Sequence, residues 1–95
     1  MSIIIIANIK AKSDKINFIK AELTKLIEPT MSEPGCLQYK LHQDNDNITH
    51  FLFYEEWKTR ESWVEHLESE HIEKFRSATE GCIKEFTVNE MTLKS

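Results

Sequence analysis

The sequence predicts an α+β fold in which helices cover one face of a four-stranded antiparallel sheet. Segments with strand-like and helix-like patterns follow one another in the order strand, helix, strand, strand, helix, strand. The first strand is marked by four consecutive isoleucines, which are β-branched and disfavour a helix. The chain has 95 residues, the size of one domain. We therefore treat residues 1–95 as a single domain.

The first third of the chain predicts a strand, a helix and a turn. Ile3 to Lys10 forms the strand, and its isoleucines point to both faces of the sheet. Ser13 is the expected N-cap of the helix. Apolar residues then recur at helical spacing as Ile16, Ile19, Leu23, Leu26 and Ile27. Pro29 ends or kinks this helix, and Pro34-Gly35 turns the chain into the next strand.

The middle of the chain predicts a β-hairpin. Its strands, Cys36 to Asp44 and Ile48 to Lys58, flank the turn formers Asn45-Asp46-Asn47. A tight turn would place His42 opposite His50, Leu41 opposite Phe51 and Tyr39 opposite Phe53. One face of the hairpin is then apolar, with Leu37, Tyr39, Leu41, Phe51 and Phe53. The other face is mixed, with Gln38, Lys40, Leu52 and Tyr54.

The last third predicts two short helices and a final strand. Thr59 caps a helix that carries Trp63, Val64 and Leu67. Ser69 caps a second helix, with Ile72, Phe75 and Thr79, which Gly81 ends. Phe86 to Leu93 forms the strand, and its apolar spacing shifts between Val88 and Met91, which indicates a bulge. The complete order is the ferredoxin-like βαββαβ arrangement.

Large apolar side chains point to both faces of this sheet, although helices cover only one. Ile3 to Ile6 and Phe51 to Tyr54 carry them. An exposed apolar patch of that size is an interaction surface. Two sheets that face one another would bury it, so we predict a homodimer whose sheets close into a dimeric α+β barrel.

Composition excludes several classes of partner. The net charge is −4 and the lysines are scattered among glutamates, so a nucleic-acid-binding surface is not expected. The longest aliphatic run, Ile3 to Ala7, is far shorter than the roughly 20 residues of a membrane span, and no signal-peptide pattern accompanies it. We therefore expect no membrane association and a cytoplasmic location. Cys36 and Cys82 lack metal-binding spacing and are expected to be reduced thiols.

Three segments give the chain a resemblance to a known family. They are Glu33-Pro34-Gly35-Cys36, Tyr54-Glu55-Glu56-Trp57, and the stretch from His66 through His71 to Phe75. In this order and spacing they resemble the antibiotic biosynthesis monooxygenase domain, and the resemblance covers nearly the whole chain. It implies a small dimeric α+β barrel. Members of this kind oxidise quinols or polyketide-like phenols with molecular oxygen, without flavin, haem or metal; others degrade haem or isomerise small phosphorylated diones.

Cofactor-free oxygenation requires a base, support for an oxyanion and a pocket for a flat ring. We predict that His66 is the base, because the pKa of histidine lies near neutrality; the alternative is a surface or helix-end histidine. We predict that Asn8 stabilises the oxyanion, since family members place an asparagine at this strand position. The alternative is a polar residue near a strand end.

Further side chains are expected to line the pocket: Trp57, Trp63, Tyr39, Phe53, His71 and Phe75. The alternative for the aromatic residues is ordinary core packing. Glu55 and Glu56 end a strand, where one of them could orient a histidine; a solvated carboxylate or an ion pair between subunits is the alternative.

No metal or other cofactor is expected. His66 and His71 are about 140° apart on a continuous helix and converge only if the chain bends at Ser69. His42 and His50 could be cross-strand neighbours but lack a third ligand. The resemblance also disfavours haem degradation. Haem-degrading members have a tryptophan and a histidine where this chain has His66 and, approximately, Arg76.

The leading hypothesis is a cofactor-independent monooxygenase that oxidises a small quinol or phenol-like aromatic. One alternative is an isomerase of a small dione, with or without a phosphate group, which would use the same base to shift a proton beside a carbonyl. The other is a non-enzymatic dimeric module that binds a hydrophobic small molecule.

Overall fold

A computed structural model describes residues 2–95 and confirms the predicted ferredoxin-like α+β fold. The four strands form one antiparallel sheet in the order β2-β3-β1-β4. The elements are β1 (Ile3–Ala11), α1 (Ile16–Lys25), α2 (Ile27–Met31), β2 (Cys36–Gln43), β3 (His50–Trp57), α3 (Arg60–Leu67), α4 (Glu70–Ala78) and β4 (Ile83–Met91).

The first helical segment starts and breaks differently from the prediction. Ser13 is not its cap: α1 begins at Ile16, and Lys15 at the N-cap position makes no side-chain capping bond. The break falls after Lys25 rather than at Pro29. Pro29 has no N–H to donate to the carbonyl of Lys25, four residues earlier, and its ring would clash there, so the helix breaks one turn before the proline.

The predicted caps of the two later helices are confirmed. The Thr59 hydroxyl accepts a hydrogen bond from the backbone N–H of Ser62, and the Ser62 hydroxyl accepts one from the backbone N–H of Thr59, which completes a capping box. Ser69 accepts from the N–H of Ile72 at the start of α4. Helix α4 ends at Ala78, and Gly81 follows in the next turn with a φ of +79°.

The hairpin register differs from the prediction by two residues. Leu41 pairs with Phe53, Tyr39 with Glu55 and His42 with Leu52. The loop is longer than a tight turn, because the Asp44 carboxylate accepts hydrogen bonds from the backbone of Asp46 and Asn47. A shift of two residues preserves the face on which each side chain lies. The side chains predicted to share the apolar face therefore do so, except for Leu37. The register shifts beside Cys36, and Leu37 is 49% exposed there.

The last strand is longer and more regular than predicted. It starts at Ile83, and Val88 pairs with Ala7 while Met91 pairs with Ile4, with no irregularity between them. The register shift lies instead opposite Lys10 and Ala11. Val88 and Met91 thus point to opposite faces, which explains their spacing without a bulge.

The helices pack on one side of the sheet, here called the inner face, and the other side is the outer face. Burial alternates along β1, with Ile5, Ala7 and Ile9 buried on the inner face. The inner face and the helices share one apolar core, to which α1 contributes Ile19 and Leu23. On the outer face, Ile4, Ile6, Leu52 and Tyr54 are only partly exposed. Within residues 2–95, no helix is long and apolar enough to cross a membrane.

Candidate active site

A cavity of about 380 Å³ lies between the helices and the inner face of the sheet. Its size falls within the usual range for small-molecule sites, and most of its wall is apolar. Four of the aromatic residues predicted to line a pocket are on this wall: Tyr39, Phe53, Trp63 and Phe75. Its polar groups are those of Tyr39, Glu55, His66, Arg76, Thr79 and Glu80.

His66 is buried beside this cavity rather than exposed at a helix end. It lies on α3 and is 2% exposed. Its ring centroid is 4.7 Å from that of Trp57 and 5.5 Å from that of Tyr39. The imidazole Nδ1 lies 2.6 Å from Oε2 of Glu33. Packing and this hydrogen bond together fix the orientation of the ring.

Glu33 accepts hydrogen bonds from two histidines, because His71 Nε2 lies 2.8 Å from the same oxygen. The chain does bend at Ser69, whose hydroxyl donates to the carbonyl of His66 and starts a new helix. The two histidines therefore belong to separate helices, α3 and α4. The 140° separation expected of a continuous helix does not apply.

Sequence reasoning missed the role of Glu33, and only the Glu33-Pro34-Gly35-Cys36 segment carried a signal for it. Gly35 has a φ of +91°, and a Cβ there would lie 2.6 Å from the Cβ of Ser62 on α3. Only glycine suits this backbone conformation and close approach. The turn after α2 thus packs directly on α3, and this contact brings Glu33 to His66.

The surroundings of His66 determine its protonation. Burial lowers the pKa of His66 below its usual range, and the nearby His71 and Arg76 act in the same direction. The hydrogen bond and charge of Glu33 oppose this decrease but do not cancel it. The imidazole is therefore neutral at neutral pH. Because Glu33 accepts from Nδ1–H, Nε2 is the nitrogen left with a lone pair.

Glu55 is a second buried polar group of the cavity. It is 4% exposed, so the alternative of a solvated carboxylate is wrong for this residue. Trp57 Nε1 donates a hydrogen bond to its Oε1 at 2.9 Å. Burial raises the pKa of Glu55 to about 7; the charge of Glu33 adds to the increase and the Trp57 hydrogen bond opposes it. Glu56 lies on the outer face, where it accepts from Gln38.

Tyr39 is neutral in this environment. Burial, and secondarily the charge of Glu55, raises the pKa of Tyr39 well above its usual value. Its ring stacks on Phe53 with centroids 4.2 Å apart. This pair forms a flat aromatic wall of the cavity.

Asn8 does not lie with His66. Side chains alternate along β1, so the neighbours Ala7 and Ile9 line the cavity while Asn8 points to the outer face. There Oδ1 of Asn8 accepts a hydrogen bond from His50 Nε2 at 2.8 Å. Within one chain, His66 and Asn8 therefore do not line the same pocket.

Two other predicted pocket residues lie behind the cavity wall. Trp57 is fully buried; its indole N–H donates to Glu55, and its ring packs against that of His66. His71 contacts Glu33 rather than the cavity. Both hold residues in position and do not line the pocket.

Glu33, His66 and His71 form the one group within residues 2–95 whose donor atoms could hold a metal ion. One atom from each lies within 4.8 Å of the others. Two imidazoles and a carboxylate suit a divalent transition metal. The same three side chains also satisfy one another by hydrogen bonds, so the cluster equally serves to orient His66.

The chain matches a known protein family over most of its length. A family model described as "Antibiotic biosynthesis monooxygenase" matches residues 2–84. The uncharacterized protein sll1783 of Synechocystis sp. is 36% identical over 73 residues, which cover 77% of this chain and 50% of that protein. The chain thus spans about half the length of this curated relative.

Solved structures are similar over almost the entire chain. PA3566 from Pseudomonas aeruginosa superposes with a TM-score of 0.95 at 28% identity, covering 99% of this chain and 95% of that one. A protein named antibiotic biosynthesis monooxygenase superposes with a TM-score of 0.91 at 29% identity, covering 98% of this chain and 99% of that one.

Proposed function

The chain belongs to the antibiotic biosynthesis monooxygenase family, and we propose that it is a cofactor-independent monooxygenase. The proposed substrate is a small quinol or phenol-like aromatic, and molecular oxygen is the oxidant. One observation carries the proposal: the cavity combines aromatic walls with a buried, neutral histidine. The neutral histidine can accept the proton of a phenol, and the aromatic walls can bind its ring and exclude water.

The proposed reaction needs no external reductant. Ground-state oxygen is a triplet and reacts slowly with closed-shell molecules. A phenolate can transfer one electron to oxygen first, and the resulting substrate radical and superoxide then combine. For hydroquinone, the products are hydroxybenzoquinone and water. One oxygen atom enters the ring, the other leaves as water, and the substrate supplies all the electrons.

His66 is the proposed base. Its Nδ1–H is held by Glu33, so Nε2 is the acceptor for the substrate proton. The Glu33 carboxylate then stabilises the imidazolium that forms. A phenol ring between Trp63 and the Tyr39–Phe53 wall would be held by apolar contacts.

We also propose that the protein is a homodimer in which two outer faces meet. The outer face carries a row of apolar side chains: Ile4, Ile6, Leu52 and Tyr54. In the described chain the buried helix residues pack on the inner face, so they do not cover this row. The uncovered row supports the proposed dimer. Burial of such side chains contributes roughly 25 cal/mol per Å² of apolar surface. In this arrangement Asn8 and His50 would lie in or beside the dimer interface.

An isomerase of a small dione is the second candidate, and Glu55 favours it. A neutral base and a buried carboxyl group in one cavity could shift a proton beside a carbonyl without oxygen. Within residues 2–95, Arg76 is the one cationic side chain on the cavity wall, and Glu80 lies on that wall too. This balance of charge disfavours a phosphorylated substrate.

Oxygen uptake with a panel of hydroquinones tests the proposal. We expect uptake with at least one of them, and we expect His66→Ala to reduce it by about 100-fold or more. His42→Ala is the matched control, because His42 is exposed on β2 and its one hydrogen bond to the described part of the chain is with the carbonyl of Lys40. Absence of uptake by the wild type, together with a dione isomerisation that His66→Ala abolishes, would favour the isomerase.

A further inference from the structure

The carboxyl group of Glu55 has no role in the proposed oxygenation, although it lies on the cavity wall. Within residues 2–95, its one side-chain hydrogen bond is the one that Trp57 Nε1 donates to Oε1. No side chain of the described chain forms an ion pair with it. Its other oxygen, Oε2, has no hydrogen-bond partner among the described residues, and the cavity is where a ligand could supply one. A carboxyl group in this position is a candidate to bind a ligand.

Trp57 places Glu55 and His66 at the same end of the cavity. Its indole N–H holds the carboxyl group, and its ring lies 4.7 Å from the imidazole ring. Tyr39 also contacts both, since it pairs with Glu55 across the strands and its ring lies 5.5 Å from that of His66. A ligand whose hydroxyl reaches His66 therefore has Glu55 nearby.

The state of the carboxyl group decides what it can bind. With its pKa raised to about 7 by burial, a large share of Glu55 is protonated near neutral pH. A protonated carboxyl donates through its O–H and still accepts from Trp57 through the other oxygen. It can therefore donate to a carbonyl, hydroxyl or phenolate oxygen of a ligand.

We infer that Glu55 is a substrate-binding residue that hydrogen-bonds a second oxygen atom of the substrate while His66 takes the proton from the first. This inference rests on the proposed function. It narrows the substrate class to aromatic rings that carry two oxygen substituents, such as quinols or hydroxylated aryl ketones. Phenols with a single oxygen leave Glu55 without its partner.

Anaerobic calorimetry with two matched ligands tests the inference without turnover. 1,4-Dihydroxynaphthalene and 1-naphthol differ by one oxygen atom. We expect the wild type to bind the diol about 10- to 100-fold more tightly. Glu55→Leu should bring the ratio close to one, whereas Glu55→Gln should keep most of the preference because its amide can donate the same hydrogen bond. Glu56→Gln, on the outer face, is the control and should leave the ratio unchanged.

The possible results separate this inference from the proposed function. An unchanged ratio in folded Glu55→Leu overturns the inference alone, provided that the wild type consumes oxygen with the diol. Loss of the preference for the diol in Glu55→Gln would also overturn the inference, because the amide can donate the same hydrogen bond. A wild type that binds neither compound overturns the inference, and the proposed function falls with it only if no hydroquinone of the panel supports oxygen uptake. Circular dichroism checks folding, and Glu55→Met, of similar length, replaces the leucine variant if that one does not fold.

Discussion

Nδ1 of His66 lies 2.6 Å from Oε2 of Glu33, a residue 33 positions away in the sequence. The contact joins α3 to the turn that precedes β2, and it fixes which nitrogen of the imidazole carries the proton. It also sets a negative charge beside a base that becomes positive when it accepts a proton. Glu33 is thus a positioning residue for the proposed reaction.

Glu33→Gln should lower the rate of oxygen uptake by about 10- to 100-fold, because a charge-assisted hydrogen bond to the base is replaced by a neutral one. Loss of the negative charge should also lower the pKa of His66 further, since Glu33 raises it. The acid limb of the pH–rate profile should therefore move to lower pH. An unchanged rate and profile would remove Glu33 from the mechanism; Glu56→Gln is the matched control.

Gly35→Ala should destabilise the fold more than Gly81→Ala. Both glycines have positive φ, so alanine is strained at either position. A Cβ at Gly35 would in addition lie 2.6 Å from the Cβ of Ser62, whereas a Cβ at Gly81 would meet nothing within 4 Å. In urea denaturation, we expect the free energy of unfolding to fall by about 1 kcal/mol for Gly81→Ala. For Gly35→Ala we expect it to fall by a further amount of about 1–3 kcal/mol or more. Equal losses would contradict the close packing of this turn on α3.

Local patterns predicted the order of the elements, since each depends on nearby residues. The caps at Thr59 and Ser69 and the inner-face residues Phe51 and Phe53 follow from such patterns. The hairpin register could not be predicted in the same way. The carboxylate of Asp44 organises a longer loop, and nothing in the turn composition fixes its length.

The site was harder to predict because it depends on long-range contacts. The position of Asn8 on the same face as Ile4 and Ile6 was apparent, but both faces of β1 are apolar, so alternation alone could not show which one the helices cover. The environments of Glu33 and Glu55 likewise depend on segments distant in sequence. Only the assembled fold brings them to the cavity.

Glu55→Gln should stabilise the protein at pH 8 and have little effect at pH 4.5. The folded-state pKa of Glu55 is raised from 4.5 to about 7, so the folded state binds more protons than the unfolded state between these values. Stability due to this group therefore falls as pH rises through that window. The gain of the variant at pH 8 is up to about 3 kcal/mol. Urea denaturation at both pH values measures it, and an equal effect at both would contradict the assigned shift.

His66 changes stability with pH in the opposite direction to Glu55. The effect of Glu55 is therefore measured as the difference in stability between Glu55→Gln and the wild type at each pH. The pKa of His66 is lowered, and below its unfolded value the unfolded state binds more protons. Stability due to His66 therefore rises with pH through the acid range. This contribution is common to both proteins and largely cancels in their difference.

Ile6→Glu should convert the proposed dimer into a monomer. Ile6 lies on the outer face between Tyr54 and Asn89 of the neighbouring strands, and a charge buried there without a partner would oppose association. Light scattering after size exclusion measures the mass of wild type and variant. Ile48→Glu is the control, because Ile48 is 54% exposed in the hairpin loop. A monomeric wild type would contradict the dimer.

Removal of metal ions should leave oxygen uptake unchanged. Glu33, His66 and His71 offer a donor set for a divalent ion, but the proposed mechanism needs His66 free to accept a proton. The protein is dialysed against a chelator, its metal content is measured by mass spectrometry, and uptake is compared before and after. Added Zn²⁺ should inhibit, since an ion that takes the place of the proton on Nδ1 of His66 leaves the proton of the neutral imidazole on Nε2, which then cannot accept one from the substrate. Activity that is lost on chelation and restored by one particular metal would instead make this cluster a metal centre and His66 a ligand rather than the base.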